Sequence, residues 1–140
     1  MMQRSMAEVI RRRTPTTLGP SATVQHACCL MREQKIGAVL VTDEDGKLLG
    51  LFTGRDVVGR VAADARDPCH TKLHSVMTPH PDTLGPRANA IDALRMMQNG
   101  GYRHMPVVDG KELVGIVSLG DFQGLELARL DEETGFWEIL

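Results

Sequence analysis

The chain repeats itself, and that repetition limits the folds open to it more than any other feature. Leu18-Gly19-Pro20 returns as Leu84-Gly85-Pro86, 66 positions on. At the same offset Ala22 meets Ala88, Ala27 meets Ala93, Met31 meets Met97, Val41 meets Val107 and Asp43 meets Asp109. One residue is then lost where Glu44-Asp45-Gly46-Lys47 faces Gly110-Lys111-Glu112, and the offset becomes 65. Beyond it Leu48 meets Leu113, Gly50 meets Gly115, Thr53 meets Ser118, Asp56 meets Asp121, Gly59 meets Gly124 and Ala63 meets Ala128. Ordered matches with one indel, placed in a polar turn, indicate a tandem duplication.

Each copy reads as β-α-β-β-α. Val24, Ala27, Cys28 and Met31, like Ala90, Ala93, Leu94 and Met97, follow the i, i+3, i+4, i+7 spacing of a helix face. Apolar runs at 38–41 and 48–52, and again at 105–108 and 113–117, flank turns rich in Asp and Gly, which predicts a hairpin in each copy. A short strand at 16–18 or 83–84 precedes the first helix, and a second helix is expected at 56–63 or 121–129. The fold class is α/β (α+β). A unit of about 66 residues buries too little surface to be comfortable alone. Two copies are therefore expected to pack sheet to sheet as a pseudo-two-fold pair with one core. The boundaries read from this pattern are an N-terminal helix at 1–13, repeats at 14–66 and 77–130, a linker at 67–76 and a tail at 131–140.

The 140 residues carry 16 Lys+Arg against 18 Asp+Glu, a net charge of −2, which excludes a protein held to nucleic acid mainly through phosphates. No apolar run approaches the ~20 residues that cross a bilayer, so no membrane partner is expected. Cys28, Cys29 and Cys69 are odd in number and two are adjacent, unlike a secreted disulfide framework; a cytoplasmic location follows. Arg4, Arg11, Arg12 and Arg13 near the start allow a targeting peptide, but there is no secretory apolar core. Ser5-Met6-Ala7-Glu8 reads instead as a capping box opening a short helix through Met6, Val9 and Ile10.

The stretches Gly50-Leu51-Phe52-Thr53-Gly54-Arg55-Asp56 and Gly115-Ile116-Val117-Ser118-Leu119-Gly120-Asp121 share glycine, an apolar pair, Thr or Ser, and Asp three residues further. This pattern resembles the signature of cystathionine-β-synthase-type (CBS) domains. Arg103-His104-Met105-Pro106-Val107-Val108-Asp109 is similar to the family's hairpin strand, and Val76-Met77-Thr78-Pro79 to its usual lead-in to a second repeat. The resemblance spans about residues 14 to 130 and implies a free-standing CBS pair, or Bateman module. It further implies adenosine-containing ligands (AMP, ADP or ATP, less often S-adenosylmethionine or NADH) in clefts between the repeats, and a homodimer. In such a site Asp56 and Asp121 would hold ribose, and Thr53 and Ser118 would help with phosphate.

The residues offer a local rationale. Thr53 and Ser118 end a strand and open a helix, whose free first-turn N–H groups would suit an anion. Ser/Thr-x-x-Asp is equally a capping pattern, kept for helix stability alone; both roles can coexist. The copies differ at the hairpin strand. The second carries Arg103 and His104 before Met105 and Pro106, where related modules place phosphate-binding side chains, while the first has Gly37 and Ala38. Arg55, opposite Gly120, would compensate in the first copy with a guanidinium fork.

The reading is a regulatory module that senses adenine nucleotides and modulates an effector protein. The alternative is a structural interaction or dimerisation module without a physiological ligand. No nucleophile, base and acid share a known spacing, and His26, His80 and His104 lack Ser or Cys partners, so an enzyme is not expected. Cys69, His70 and His74 form a weak zinc pattern in the linker, set against solvated side chains. One of Cys28 and Cys29 should face the core as a small hydrophobe. Phe136 and Trp137 should dock on the module or on a partner surface.

Overall fold

The duplication survives folding as two units of the same construction. The computed structural model describes residues 4–10 and 14–122. It divides into a central unit, Pro15–Pro81, and a split unit that joins Met1–Thr14 to Asp82–Leu140. Among the described residues no helix is long and apolar enough to cross a membrane.

In the central unit β1 (Thr17–Leu18) pairs in parallel with β2 (Ala38–Thr42), which forms an antiparallel hairpin with β3 (Leu48–Thr53); β4 (Thr78–Pro79) closes the order β1-β2-β3-β4. Helix α2 (Val24–Gln34) turns Val24, Ala27 and Met31 onto Val39, Val41 and Phe52 of the sheet. Cys28 packs at the edge of this core, as the helical spacing predicts. In the split unit α5 (Ala90–Gly100) packs Ala90, Ala93, Leu94 and Met97 on Met105, Val107 and Val117 of the hairpin β5 (His104–Asp109) and β6 (Glu112–Ser118).

The local chemistry is repeated along with the sequence. Thr23 caps α2 by accepting the His26 N–H, and Asn89 caps α5 by accepting the Asp92 N–H. Both helices end in a left-handed residue, Lys35 at φ 56° and Gly101 at φ 70°. Both hairpins carry a register shift at the same place, between Val41 and Thr42 and between Val107 and Val108. In the first turn Asp43 Oδ1 accepts the N–H groups of Asp45 and Lys47, each at 2.9 Å.

Two elements differ from the sequence reading. The strand expected at 83–84 is a single parallel bridge, Leu84 to Val107. In the first copy the Leu40 N–H donates to Thr16 O at 3.0 Å. The matching position is Pro106, which has no N–H, so that rung cannot form. The helix expected at 56–63 begins earlier, with Thr53 as cap, and runs as α3 (Gly54–Asp56) into a π-helical turn, Val57–Ala62. Val57, Val58, Gly59 and Val61 are all poor α-formers, so the chain has little resistance to the wider turn. The second copy's counterpart is described only as a 3₁₀ turn, Leu119–Asp121, followed by Phe122; residues 123–129 and the 131–140 tail lie outside the described residues.

A further duplication was not visible in the sequence pattern. Helix α1 (Met6–Val9), with the predicted Ser5–Glu8 capping box, matches α4 (Leu73–Val76) at an offset of 67. Met6, Val9 and Ile10 enter the split unit's core, and Leu73 and Val76 the central unit's, with Met77 packed against it. The same strap of backbone bonds holds each. Met6 N–H donates to Ala88 O, Ala7 N–H to Pro86 O and Ala90 N–H to Arg4 O, at 2.8, 2.9 and 3.0 Å. Leu73 N–H donates to Ala22 O, His74 N–H to Pro20 O and Val24 N–H to Thr71 O, at 2.9, 3.1 and 2.9 Å. Each repeat's leading helix therefore packs on the body of the other repeat, and part of the stretch read as linker is core.

Candidate functional site

Both signature motifs stand where a hairpin's second strand ends. In the central unit the register sets Ala38 opposite Thr53, and Gly37 O accepts the Gly54 N–H at 3.1 Å. The Asp56 N–H goes to Thr53 Oγ1 at 3.3 Å, while the Thr53 N–H and hydroxyl both donate to Asp56 Oδ2, at 3.0 and 3.2 Å. The Thr78 hydroxyl, from β4, reaches Asp56 Oδ1 at 3.2 Å and Oδ2 at 3.4 Å. Arg60, one turn on, sets Nε 3.5 Å from Asp56 Oδ1 and donates from Nη1 to Met77 O at 2.7 Å. Asp56 is 7% exposed, and its carboxylate oxygens accept from donors of this chain. Arg55, beside Asp56 in the sequence, is exposed.

In the split unit His104 lies opposite Ser118, and Arg103 O accepts the Leu119 N–H at 2.8 Å. The Ser118 N–H donates to Asp121 Oδ2 at 2.7 Å. Arg4 Nη2, from the N-terminal strap, donates to Asp121 O at 3.0 Å. Met105 and Pro106 are buried in β5, Arg103 is exposed, and His104, Ser118 and Asp121 are half-buried. Burial pushes the His104 imidazole below its ordinary value; Asp121 opposes that shift, and Arg103 adds to it.

One expectation fails at both motifs. The first-turn N–H groups of Gly54 and Leu119 are not open to an anion, because the carbonyls of Gly37 and Arg103 take them. The residue that leads into each hairpin's first strand lies close enough to cap the turn itself. The sequence reading also missed three participants. Arg60 could have been found from its i+4 spacing to Asp56; Thr78 and Arg4 arrive from distant segments and carry no such signal.

The remaining candidates are dispersed. Cys69 is exposed, its thiol donating to Gln25 Oε1 at 3.6 Å, and His70 Nδ1 pairs with Asp67 at 2.7 Å, which holds that carboxyl below the usual range. Among the described residues no group of three potential ligands gathers as a metal site. Burial first, then neighbouring Cys29, pushes the Cys28 thiol up, away from the reactive thiolate.

The CBS domain profile matches residues 7–63 and 73–125, both repeats with their leading helices. The chain belongs to the CBS-domain family and is a tandem CBS pair. It is similar to the CBS domain-containing protein YhcV of Bacillus subtilis, 38% identical over 105 residues, covering 75% of this chain and 74% of YhcV. It is also similar to the CBS domain-containing protein CBSCBSPB2 of Arabidopsis thaliana, 36% identical over 103 residues. That match covers 74% of this chain but 19% of CBSCBSPB2, so the chain spans about a fifth of that relative's length. Among solved structures, a CBS domain protein of Pyrobaculum aerophilum complexed with AMP shares the fold at a TM-score of 0.81. It is 23% identical, and the match covers 91% of this chain and 98% of that one.

Proposed function

We infer that this chain is a non-enzymatic regulatory module that binds an adenine nucleotide (AMP, ADP or ATP) and acts as a homodimer on an effector protein. The observation that carries the reading is the second motif. There a half-buried Asp121 carboxylate is oriented by the Ser118 N–H, and the strand opposite presents His104 and Arg103. A carboxylate suits the paired hydroxyls of ribose, and an Arg beside a His suits phosphate. The family membership and a protein of the same fold complexed with AMP support the same ligand class.

The first motif favours a second reading for its own repeat. A ribose reaching Asp56 must displace Thr78 or Arg60, so this motif acts chiefly as a structural lock and binds more weakly. Calorimetric titration with AMP, ADP and ATP tests both statements. The reading requires saturable binding that Asp121→Ala abolishes and that raises the melting temperature; at a hundredfold excess over Kd the stabilisation is ~2.7 kcal/mol. A flat panel, or undiminished binding to the Asp121 variant, leaves the interaction-module reading in its place.

A further inference from the structure

The strap that closes the split unit ends at the second motif. The Ala90 N–H fixes the Arg4 carbonyl at 3.0 Å, and Ser5 forms a bridge with Asn89, so the Arg4 backbone is pinned at the start of α5. From there its guanidinium donates to the main-chain oxygen of Asp121 at 3.0 Å, across 117 positions of sequence. The duplication supplies an internal control. Position 71, which matches Arg4, is Thr71, whose hydroxyl donates locally to Asp67 O at 2.7 Å. In that unit the cation on the motif aspartate is Arg60, in the same helix. Position 125, which matches Arg60, is Leu125. Where the central unit sets an arginine of the motif's own helix on the carboxylate, the split unit sets one from the N-terminal strap on the main-chain oxygen.

A guanidinium on a carbonyl closing a helical turn is favourably placed, and a hydrogen bond to a charged donor is stronger than a neutral one. The peptide it holds belongs to the residue whose carboxylate accepts the Ser118 N–H at 2.7 Å. Holding the Asp121 carbonyl steadies the backbone from which that carboxylate is aimed at the Ser118 N–H. We propose that Arg4 is a positioning residue for Asp121, and that the N-terminal strap is consequently part of the second motif's ligand site. The proposal rests on the nucleotide reading of that motif. Arg4 pre-organises the carboxylate for ribose and adds a basic group beside the turn that Arg103 and His104 adjoin, which favours an anionic nucleotide.

The test uses the full chain with Arg4→Ala, Arg4→Lys and Asp121→Ala. AMP and ATP are titrated calorimetrically, and amide hydrogen exchange is followed at Ser118 and Phe122. Arg4→Ala weakens binding about tenfold and speeds exchange at both amides by a similar factor, with Gly54 and Ala63 unchanged. Arg4→Lys, which keeps a charged donor, restores most of both. If Arg4→Ala unfolds the split unit, Arg4→Gln carries the comparison. Unchanged exchange overturns the proposal. So does unchanged affinity in Arg4→Ala where Asp121→Ala abolishes binding. A wild-type chain that binds neither nucleotide overturns the ligand reading instead, and exchange alone then decides whether Arg4 positions the turn.

Discussion

The hydroxyl of Thr78 divides its hydrogen bond between the two oxygens of Asp56, 22 positions back, at 3.2 and 3.4 Å. Because Asp56 is also the capping partner of Thr53 and the ion-pair partner of Arg60, one carboxylate ties β4, the end of β3 and the π-helical turn together. Asp56→Ala should therefore cost the central unit about 2–4 kcal/mol, because a cap is lost and three donors lose a buried acceptor. Thr78→Val should cost about 1 kcal/mol. Asp121→Ala, with its carboxylate half-buried, should cost less than Asp56→Ala while doing more harm to nucleotide binding. Urea midpoints read beside calorimetric titrations check the ordering; a larger stability loss in the Asp121 variant contradicts it.

The two signature glycines are required for different neighbours. A Cβ on Gly50 would meet Met77 Sδ at 2.5 Å and the Thr78 carbonyl at 2.9 Å. On Gly115 the three nearest atoms would all belong to Ile10, with Cδ1 at 2.8 Å, Cβ at 3.2 Å and Cγ2 at 3.3 Å. A methionine tip can swing aside, but the backbone carbonyl behind it cannot. Gly50→Ala should thus fall near the upper end of the ~1–3 kcal/mol overpacking range and Gly115→Ala below it. Ile10→Val removes the nearest atom and should recover part of the Gly115→Ala loss. A double-mutant cycle by denaturant unfolding reads this coupling; strict additivity would show that Ile10 does not press on Gly115.

These glycines also mark where the sequence stopped being legible. The repeat, the hairpins, the Ser5–Glu8 capping box and the Thr/Ser-x-x-Asp motifs are local patterns, and an offset of 66, then 65 beyond the turn, exposes the duplicated ones. The strap is not local: Met6, Val9 and Ile10 match Leu73, Val76 and Met77 in apolar character alone, at an offset of 67 rather than 66. Nothing along the chain says that each helix packs on the other repeat's body. The closure of Asp56 was equally hidden, since it needs Thr78 to arrive from β4. Pro106 was readable as a strand residue, but its effect on the preceding strand appears only once the donor it lacks is placed opposite residue 82.

Helix ends give a prediction of opposite signs at matched positions. Lys35 and Gly101 both close a helix in the left-handed region, at φ 56° and 70°. A side chain there costs about 1 kcal/mol that glycine avoids. Lys35→Gly should stabilise the central unit by about 0.5–1 kcal/mol, and Gly101→Ala should destabilise the split unit by a similar amount. No neighbour lies within 4 Å of a Cβ built on Gly101, so backbone strain is isolated from packing. Thermal melts of the two variants, measured without ligand, should shift in opposite directions.

His104 supplies a pH dependence whose sign follows from its surroundings. Folding lowers its pKa from 6.5, because burial disfavours the imidazolium and Arg103 repels it, by more than Asp121 attracts it. Between the lowered folded value and 6.5 the unfolded chain therefore binds more protons than the folded one. This contribution is fully present above about pH 6.5 and is lost as the pH falls through that window. His104→Gln, which cannot ionise, should flatten the fall in urea midpoint between about pH 7.5 and about pH 5.5. A nucleotide phosphate beside His104 would draw a proton onto the ring, so binding should tighten as pH falls through the same window, and His104→Gln should remove that trend. An identical stability profile in wild type and variant would place the imidazole in a solvated setting and contradict both halves.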